Sequence, residues 1–237
     1  MKKIEVLYKE FQHLYADLWN PMYLDMCNDE IEVIYTPFGK EPYFNKHHVD
    51  MIYMGSVPDI KIPVIIDALK PYKKKIKELI EDNTLFLITG NAIEVFGSEI
   101  KEKKNTIDGL KVLNYRIDKN MNDKHISWYK GKFNGMDIIG HKNQFSRMYQ
   151  EDMNFIETID GWSSNYEDTN EGIKYKNFFA TYLLGPICIL NPNFTKYILS
   201  KMGLDDNLAC EEDILASFNK RMQDMSEMDT FIQGDRG

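Results

Sequence analysis

The stretch Thr84-Leu85-Phe86-Leu87-Ile88-Thr89, closed by Gly90-Asn91-Ala92 and followed at once by Ile93-Glu94-Val95-Phe96-Gly97, constrains this chain more than any other feature. A short, unbroken apolar run reads as a strand, and glycine lets the backbone turn sharply out of it. Strand, tight glycine turn and helix together have the shape of a nucleophile elbow, which presents the turn residue at the top of a sheet. A second run, Val49-Asp50-Met51-Ile52-Tyr53-Met54, ends in the same way at Gly55. It predicts a strand buried on both faces of a parallel sheet.

The rest of the first half alternates in kind. Ile4 to Tyr8 and Ile31 to Tyr35 read as strands, and Asn20-Pro21 places an N-cap acceptor and a first-turn proline before a short helix to about Cys27. After Gly55, Asp59 is positioned to cap one helix and Pro71 to start another, whose face Tyr72, Ile76, Leu79, Ile80 repeats at helical spacing. The lysines at 70, 73, 74, 75 and 77 read as its solvated face. In the second half a lysine-rich loop over 101–106 precedes antiparallel additions at Leu110–Arg116, Ser127–Phe133 and Met136–Gly140. A polar loop, Ser163 to Glu171, leads to a buried strand at Asn177–Leu183, and Asn191-Pro192 opens a helix reaching Gly203. A last helix spans about Glu211 to Met222, and the polar tail 224–237 reads as frayed. Strands alternating with helices predict an α/β fold: a mainly parallel sheet flanked by helices in one domain, residues 1–223, with the antiparallel strands added in its second half.

Composition narrows the function. The 237 residues carry 29 basic and 37 acidic side chains, a net charge of −8, which disfavours a general nucleic-acid binder. The longest apolar stretch, Phe178 to Leu190, is broken by Thr181, Gly185 and Pro186 and is shorter than the roughly 20 residues of a membrane span. The N-terminus runs straight into charged residues without the apolar core of a signal peptide, so a cytoplasmic location is expected. Three cysteines, Cys27, Cys188 and Cys210, without paired spacing suit reduced thiols and argue against a disulfide framework or zinc knuckle. His47 and His48 are adjacent and would point to opposite faces of a strand. No cofactor or metal is indicated.

Six blocks in order carry a resemblance: LYADLWN (Leu14 to Asn20), MIYMGS (Met51 to Ser56), LITGNAIEVFG (Leu87 to Gly97), DGL (Asp108 to Leu110), IIGHKNQFSR (Ile138 to Arg147) and NFFATYLLGPICILNP (Asn177 to Pro192). Over about residues 1–203 the chain resembles the class I glutamine amidotransferase-like domains of the cobyric acid synthase type, among them the glutaminase subunit of lipid II isoglutaminyl synthase. The resemblance implies a flavodoxin-like fold and hydrolysis of the glutamine side-chain amide, with ammonia passed to a Mur-ligase-like or synthetase partner. Such chemistry needs a thiolate at the elbow, a histidine to move the proton and backbone N–H groups to hold the oxyanion.

By that resemblance the nucleophile position is Gly90 and the base position is Leu184, neither of which can do the chemistry. The glycine-rich turn that helps form the oxyanion hole reads Gly55-Ser56-Val57, and the block Gly140-His141-Lys142-Asn143-Gln144 lacks the family's histidine. The resemblance therefore implies a pseudoenzyme. Cys188, among apolar neighbours, reads as inert core, and neither His125 nor His141 is assignable as a base. The residues expected to line what remains of the pocket are Gly55, Ser56, Asn91, Glu94, Gln144 and Tyr182. Tyr15, Tyr23, Tyr53, Tyr182 and Trp19 are expected along the strand ends and first helix. A partner-binding role predicts an exposed apolar patch away from the elbow; a binder or enzyme of altered specificity predicts an open, polar pocket at Gly90.

Overall fold

A computed structural model describes residues 1–227. In chain order the elements are β1 (Lys2–Leu7), α1 (Trp19–Cys27), β2 (Ile31–Thr36), β3 (Met51–Met54), α2 (Ile62–Leu69), α3 (Lys73–Glu81) and β4 (Leu85–Thr89). A tight helical turn over Gly90–Val95 follows, then seven strands: β5 (Glu99–Glu102), β6 (Asn105–Asp108), β7 (Arg116–Lys119), β8 (His125–Phe133), β9 (Met136–Gln144), β10 (Ser146–Tyr149) and β11 (Asn154–Asp160). The chain continues through β12 (Asn170–Tyr175), β13 (Phe178–Thr181), α4 (Ile187–Leu190), α5 (Pro192–Lys201) and α6 (Glu211–Glu227).

The large sheet runs β2-β1-β3-β4-β13-β12-β11-β8-β9, parallel from β2 through β13 and antiparallel beyond. The runs that read as doubly buried strands are its centre. On β3 and β4, Ile52, Met54, Phe86 and Ile88 face Ile65, Ile66 and Leu69 of α2 and Ile76 and Ile80 of α3. The alternate residues Met51, Tyr53, Leu85 and Leu87 face Tyr23 and Leu24 of α1 and Phe194, Ile198 and Leu199 of α5. This period-two division is why both strands are apolar throughout. A second sheet, β10-β7-β5-β6, lies beyond the elbow turn. The outer edge of β9 is partly covered: Leu184 donates its N–H to the His141 carbonyl at 2.8 Å, and the Asn191 side chain takes both backbone groups of Ile139.

Several local expectations are corrected. Asn20 lies inside α1 rather than capping it; its side chain donates to the Asp17 carbonyl and the Tyr53 hydroxyl, both at 3.0 Å, and accepts the Cys188 N–H. Asp59 caps no helix, because its carboxylate is taken by Lys119 and Asn91. Asn191 holds the N-cap position of α5 but spends its side chain on Ile139 and Ile187. The lysine-rich 101–106 segment is a hairpin, β5–β6, turning at Lys103 with φ 54°. Residues 110–115 are not a strand: Leu110, Val112 and Leu113 donate back to the Val95 and Phe96 carbonyls, and pairing begins only at Arg116. The sequence reading missed β10, β11 and β12, the last of which begins inside the loop expected over Ser163 to Glu171. Helix α6 continues through Glu227, past the start of the tail expected to fray; residues 228–237 lie outside the described residues.

Candidate functional site: the elbow cleft

The carboxyl ends of β3, β4 and β13 bring three short segments together, at the crest where open α/β sheets place their ligands. Gly90 follows β4 with φ +60°, a left-handed conformation natural to glycine. Facing it are Ser56, after β3, and Leu184, after β13. A Cβ built on Gly90 would lie 1.9 Å from Ser56 Oγ, 3.0 Å from Ser56 Cβ and 3.1 Å from Leu184 Cδ2. A side chain at the elbow would therefore fit only if the Ser56 hydroxyl turned away and Leu184 gave by a few tenths of an ångström.

The Gly55-Ser56-Val57 turn has no N–H left to offer a ligand. Gly55 N–H donates to Gln12 Oε1 at 2.7 Å, Ser56 N–H to Asp17 Oδ2 at 2.7 Å and Val57 N–H to Asn91 Oδ1 at 2.9 Å. Asn91 completes a two-point clamp by donating to the Val57 carbonyl at 2.8 Å. An oxyanion hole needs preorganised donors pointing at empty space, and these three are spent inside the fold. Asp17 is buried beneath the turn, and burial pushes its carboxyl up to about 6 against hydrogen bonds from Ser56, Thr89 and Gly185.

A cleft of about 130 Å³ remains beside the elbow, lined by Ser56, Asn91, Glu94, Gln144 and Tyr182 together with Gly90, Leu184, Val57 and Asp59. Of the residues expected there, Gly55 is the exception. It sits behind the turn, where a Cβ would come 2.6 Å from the Tyr53 hydroxyl and 2.8 Å from Asp17 Cβ, so its role is close packing. Glu94 is fully buried; Ser146 Oγ donates to it at 2.6 Å and Lys119 Nζ at 3.0 Å, and the same ammonium holds Asp59. Burial raises the Glu94 carboxyl, opposed by Lys119. Burial alone would lower Lys119, but Glu94 and Asp59 outweigh it and hold the ammonium protonated. Ser56 Oγ, Gln144 Oε1 and the Tyr182 hydroxyl, all buried, make no hydrogen bond of ordinary geometry, although the Ser56 hydroxyl lies against the Asp17 carboxylate and the Tyr182 hydroxyl against Ser146.

Sequence reasoning missed Gln12, Lys119 and Ser146, and it read Asp17 as a capping or solvated carboxylate where the fold buries it; the four reach the site from the first loop and the second sheet. Only contacts distant in sequence assemble them. The two histidines are not at the elbow: His125 is buried against Trp162 and driven down to about 3 by burial and by Lys142, and His141 faces Trp128. Cys188 is fully buried, with its thiol pushed up to about 12 by burial. Among the described residues no group of three or more histidine, cysteine, aspartate or glutamate side chains is placed to hold a metal ion, and no helix is long and apolar enough to cross a membrane.

An exposed apolar patch was expected away from the elbow; the exposed apolar side chains of this face instead adjoin the elbow itself. Leu14 and Tyr15 line the cleft, and exposed Trp19, Met22 and Met26 continue from them along α1 at helical spacing. On the Asp59 side, Ile60, Val64 and Met121 are exposed as well. Tyr15 and Ala16 both hold left-handed backbone, with φ of 56° and 59°, and the Tyr15 hydroxyl accepts from Asn143 Nδ2 at 3.1 Å across the mouth. Of the other expected aromatics, Tyr23, Tyr53 and Tyr182 are core.

Among solved structures, the chain is similar to a glutamine amidotransferase from Thermotoga maritima, with TM-score 0.54 at 12% identity over 93% of this chain and 97% of that one. It is similar to a second glutamine amidotransferase with TM-score 0.56 at 9% identity, over 84% of this chain and 99% of that one. The fold is that of the class I glutamine amidotransferases. In sequence, this amidotransferase-like chain is 26% identical over 222 residues to the lipid II isoglutaminyl synthase (glutamine-hydrolyzing) subunit GatD of Streptococcus pneumoniae, covering 89% of this chain and 85% of that protein. The Staphylococcus aureus protein of the same name is 28% identical over 153 residues, 64% of this chain and 63% of that protein. No protein-family model matches the amidotransferase-like chain.

Proposed function

We propose that this chain is a glutamine amidotransferase-like protein of the cobyric acid synthase and lipid II isoglutaminyl synthase glutaminase-subunit type that no longer hydrolyses glutamine and acts by binding a partner in the cytoplasm. The observation that carries the reading is the occupied elbow: Ser56 Oγ stands 1.9 Å from where a nucleophile's Cβ would be. The spent turn donors and the aliphatic Leu184 at the base position support it independently, since both proton transfer and oxyanion stabilisation lose their groups. The partner is a Mur-ligase-like or other synthetase subunit, a reading supported by relatives that are themselves named as subunits. The apolar side chains flanking the cleft mouth are the surface it would cover. A single domain over residues 1–223 and no cofactor belong to the same reading.

A second reading, a small-molecule binder or enzyme of altered specificity using the cleft, is favoured by the buried, unpartnered Gln144 Oε1 in the cleft lining. Labelling with an electrophilic glutamine analogue tests the loss of glutaminase chemistry. We expect the natural chain to remain unlabelled and a Gly90→Cys, Leu184→His variant to label slowly, because the Ser56 side chain must turn away before the new Cβ fits. Adding Ser56→Gly is expected to open the seat and speed labelling at residue 90. Stoichiometric labelling of the natural chain would overturn the non-catalytic reading.

A further inference from the structure

A hollow of about 200 Å³ lies between the β8–β9 hairpin and α6, and it shares no lining residue with the elbow cleft. Its walls follow from periodicity. Trp128 on β8 and His141 on β9 are directly opposed in the register, so both side chains rise from one face of the hairpin, with Ile139 on that same face two residues before His141. The two rings meet edge to face, with centroids 5.6 Å apart. Arg221 and Met225, four residues apart on α6, share the helix face that borders the hollow, and Leu190, the last residue of α4, completes the lining. Phe218 is the only buried residue of α6. Beyond it the helix leaves the hairpin uncovered, and Trp128 stays 53% exposed.

The sign of the hollow is set by which charges are already paired. Asp224, also in the lining, is held by the Lys220 ammonium one turn away. Burial, reinforced by Lys124, lowers the His141 imidazolium, so this ring is uncharged near neutral pH. Arg221 has neither a salt bridge nor a hydrogen bond among the described residues, which leaves one uncommitted guanidinium at the edge of an apolar, aromatic-walled space. The planar fork of a guanidinium matches a carboxylate through two parallel hydrogen bonds. An apolar cavity of about 150 Å³ already takes benzene, so this hollow has room for one ring and a short stem.

We propose that this hollow binds a small arylalkyl carboxylate, its ring packed against Trp128, Leu190 and Met225 and its carboxylate paired with Arg221. The exposed indole offers the ring an edge or an offset face, and the unpaired guanidinium selects an anion over a neutral or cationic ligand of the same shape. None of these residues lines the elbow cleft, so the site stands whether or not the elbow is catalytic.

The test is an NMR titration of the full chain carrying nitrogen-15-labelled tryptophan, read at the Trp128 indole N–H, whose signal Trp128→Phe identifies by removing it. Phenylacetate is the probe; phenylacetamide, phenethylammonium and acetate are the controls. Phenylacetate is expected to shift the Trp128 signal saturably, with a dissociation constant on the order of 1 mM, as about ten non-hydrogen atoms allow. Phenylacetamide and phenethylammonium are each expected to bind about tenfold more weakly, for want of the charge-assisted bond, and acetate is expected to leave Trp128 unshifted. Arg221→Gln is expected to bring phenylacetate and phenylacetamide within about twofold of each other without changing the amide's affinity. Met225→Ser is expected to weaken both alike. Both positions are partly exposed, and unmoved Trp19 and Trp162 signals show that each variant keeps its fold. No saturable shift at Trp128, equal or tighter binding of the amide or the amine, a carboxylate preference that survives Arg221→Gln, or equal shifts at all three tryptophans would each overturn the proposal. Ligand release that tracks dimer formation as protein concentration rises would assign the hollow to a second copy of the chain and overturn it as well.

Discussion

Asp17 illustrates how much of this site is decided by single buried groups. It is enclosed under the Gly55-Ser56 turn, one carboxylate oxygen taken by Ser56 N–H and Thr89 Oγ1 and the other without a partner. Its carboxyl is raised to about 6 in the fold, against about 4 in an unfolded chain. A raised carboxyl means that the folded state holds its proton more tightly. Its contribution is complete below about pH 4 and is lost as pH rises through about 6. The Asp17→Asn variant, which cannot ionise, is therefore expected to gain on the natural chain between those limits, by on the order of 2 kcal/mol. Thermal midpoints of the two proteins measured from pH 4 to 7 check this; parallel curves would contradict it. Gly55→Ala, which sets a methyl 2.6 Å from the Tyr53 hydroxyl and 2.8 Å from Asp17 Cβ, is expected to cost about 1–3 kcal/mol in a denaturant titration.

At the scale of elements, one ion pair joins three strands behind the cleft. Lys142 on β9 is fully buried; its ammonium reaches Glu171 Oε2 on β12 at 2.5 Å and the carbonyls of Trp162 and Ser163 at 2.9 and 2.8 Å. Glu171 Oε1 in turn accepts from Thr181 Oγ1 at 2.9 Å, on β13, and from Tyr182 N–H at 2.7 Å, one residue beyond it. Every charge in the network is satisfied, so removing one partner leaves the other stranded. Lys142→Met is expected to destabilise by about 3–5 kcal/mol, whereas Lys176→Met, which breaks the solvent-facing pair with Glu81, is expected to cost within about 1 kcal/mol. Chemical denaturation of the two variants side by side makes the comparison.

The same scale explains what the sequence did and did not disclose. Strands β3, β4 and β13 were legible because each is buried on both faces and written in apolar residues. The β5–β6 hairpin was not: only Ile100 of its eight strand residues is buried, and lysines at its tip match a solvated loop equally well. Strand β11, with only Phe155 and Ile156 buried, is set by pairing with β8 and β12 rather than by its own pattern. Within the cleft, Ser56, Asn91, Glu94, Gln144 and Tyr182 were found from local blocks, but Asp17, Gln12 and Lys119 were not. Their roles exist only once loops far apart in sequence close over one another.

For the whole molecule, the flanking apolar side chains and the closed elbow make separable predictions. If Trp19, Met22 and Met26 serve a partner surface, Met22→Lys with Met26→Lys is expected to leave the thermal midpoint within about 0.5 kcal/mol of the natural chain, as for surface changes generally. The same change is expected to weaken association with a synthetase subunit at least tenfold in a calorimetric titration. Unchanged association would move the interface elsewhere. The central claim is that the elbow has lost its chemistry, and ammonia release from glutamine by the purified chain tests it most directly. The account predicts release indistinguishable from buffer, with or without a synthetase subunit; sustained turnover would contradict it and require a nucleophile elsewhere in the chain.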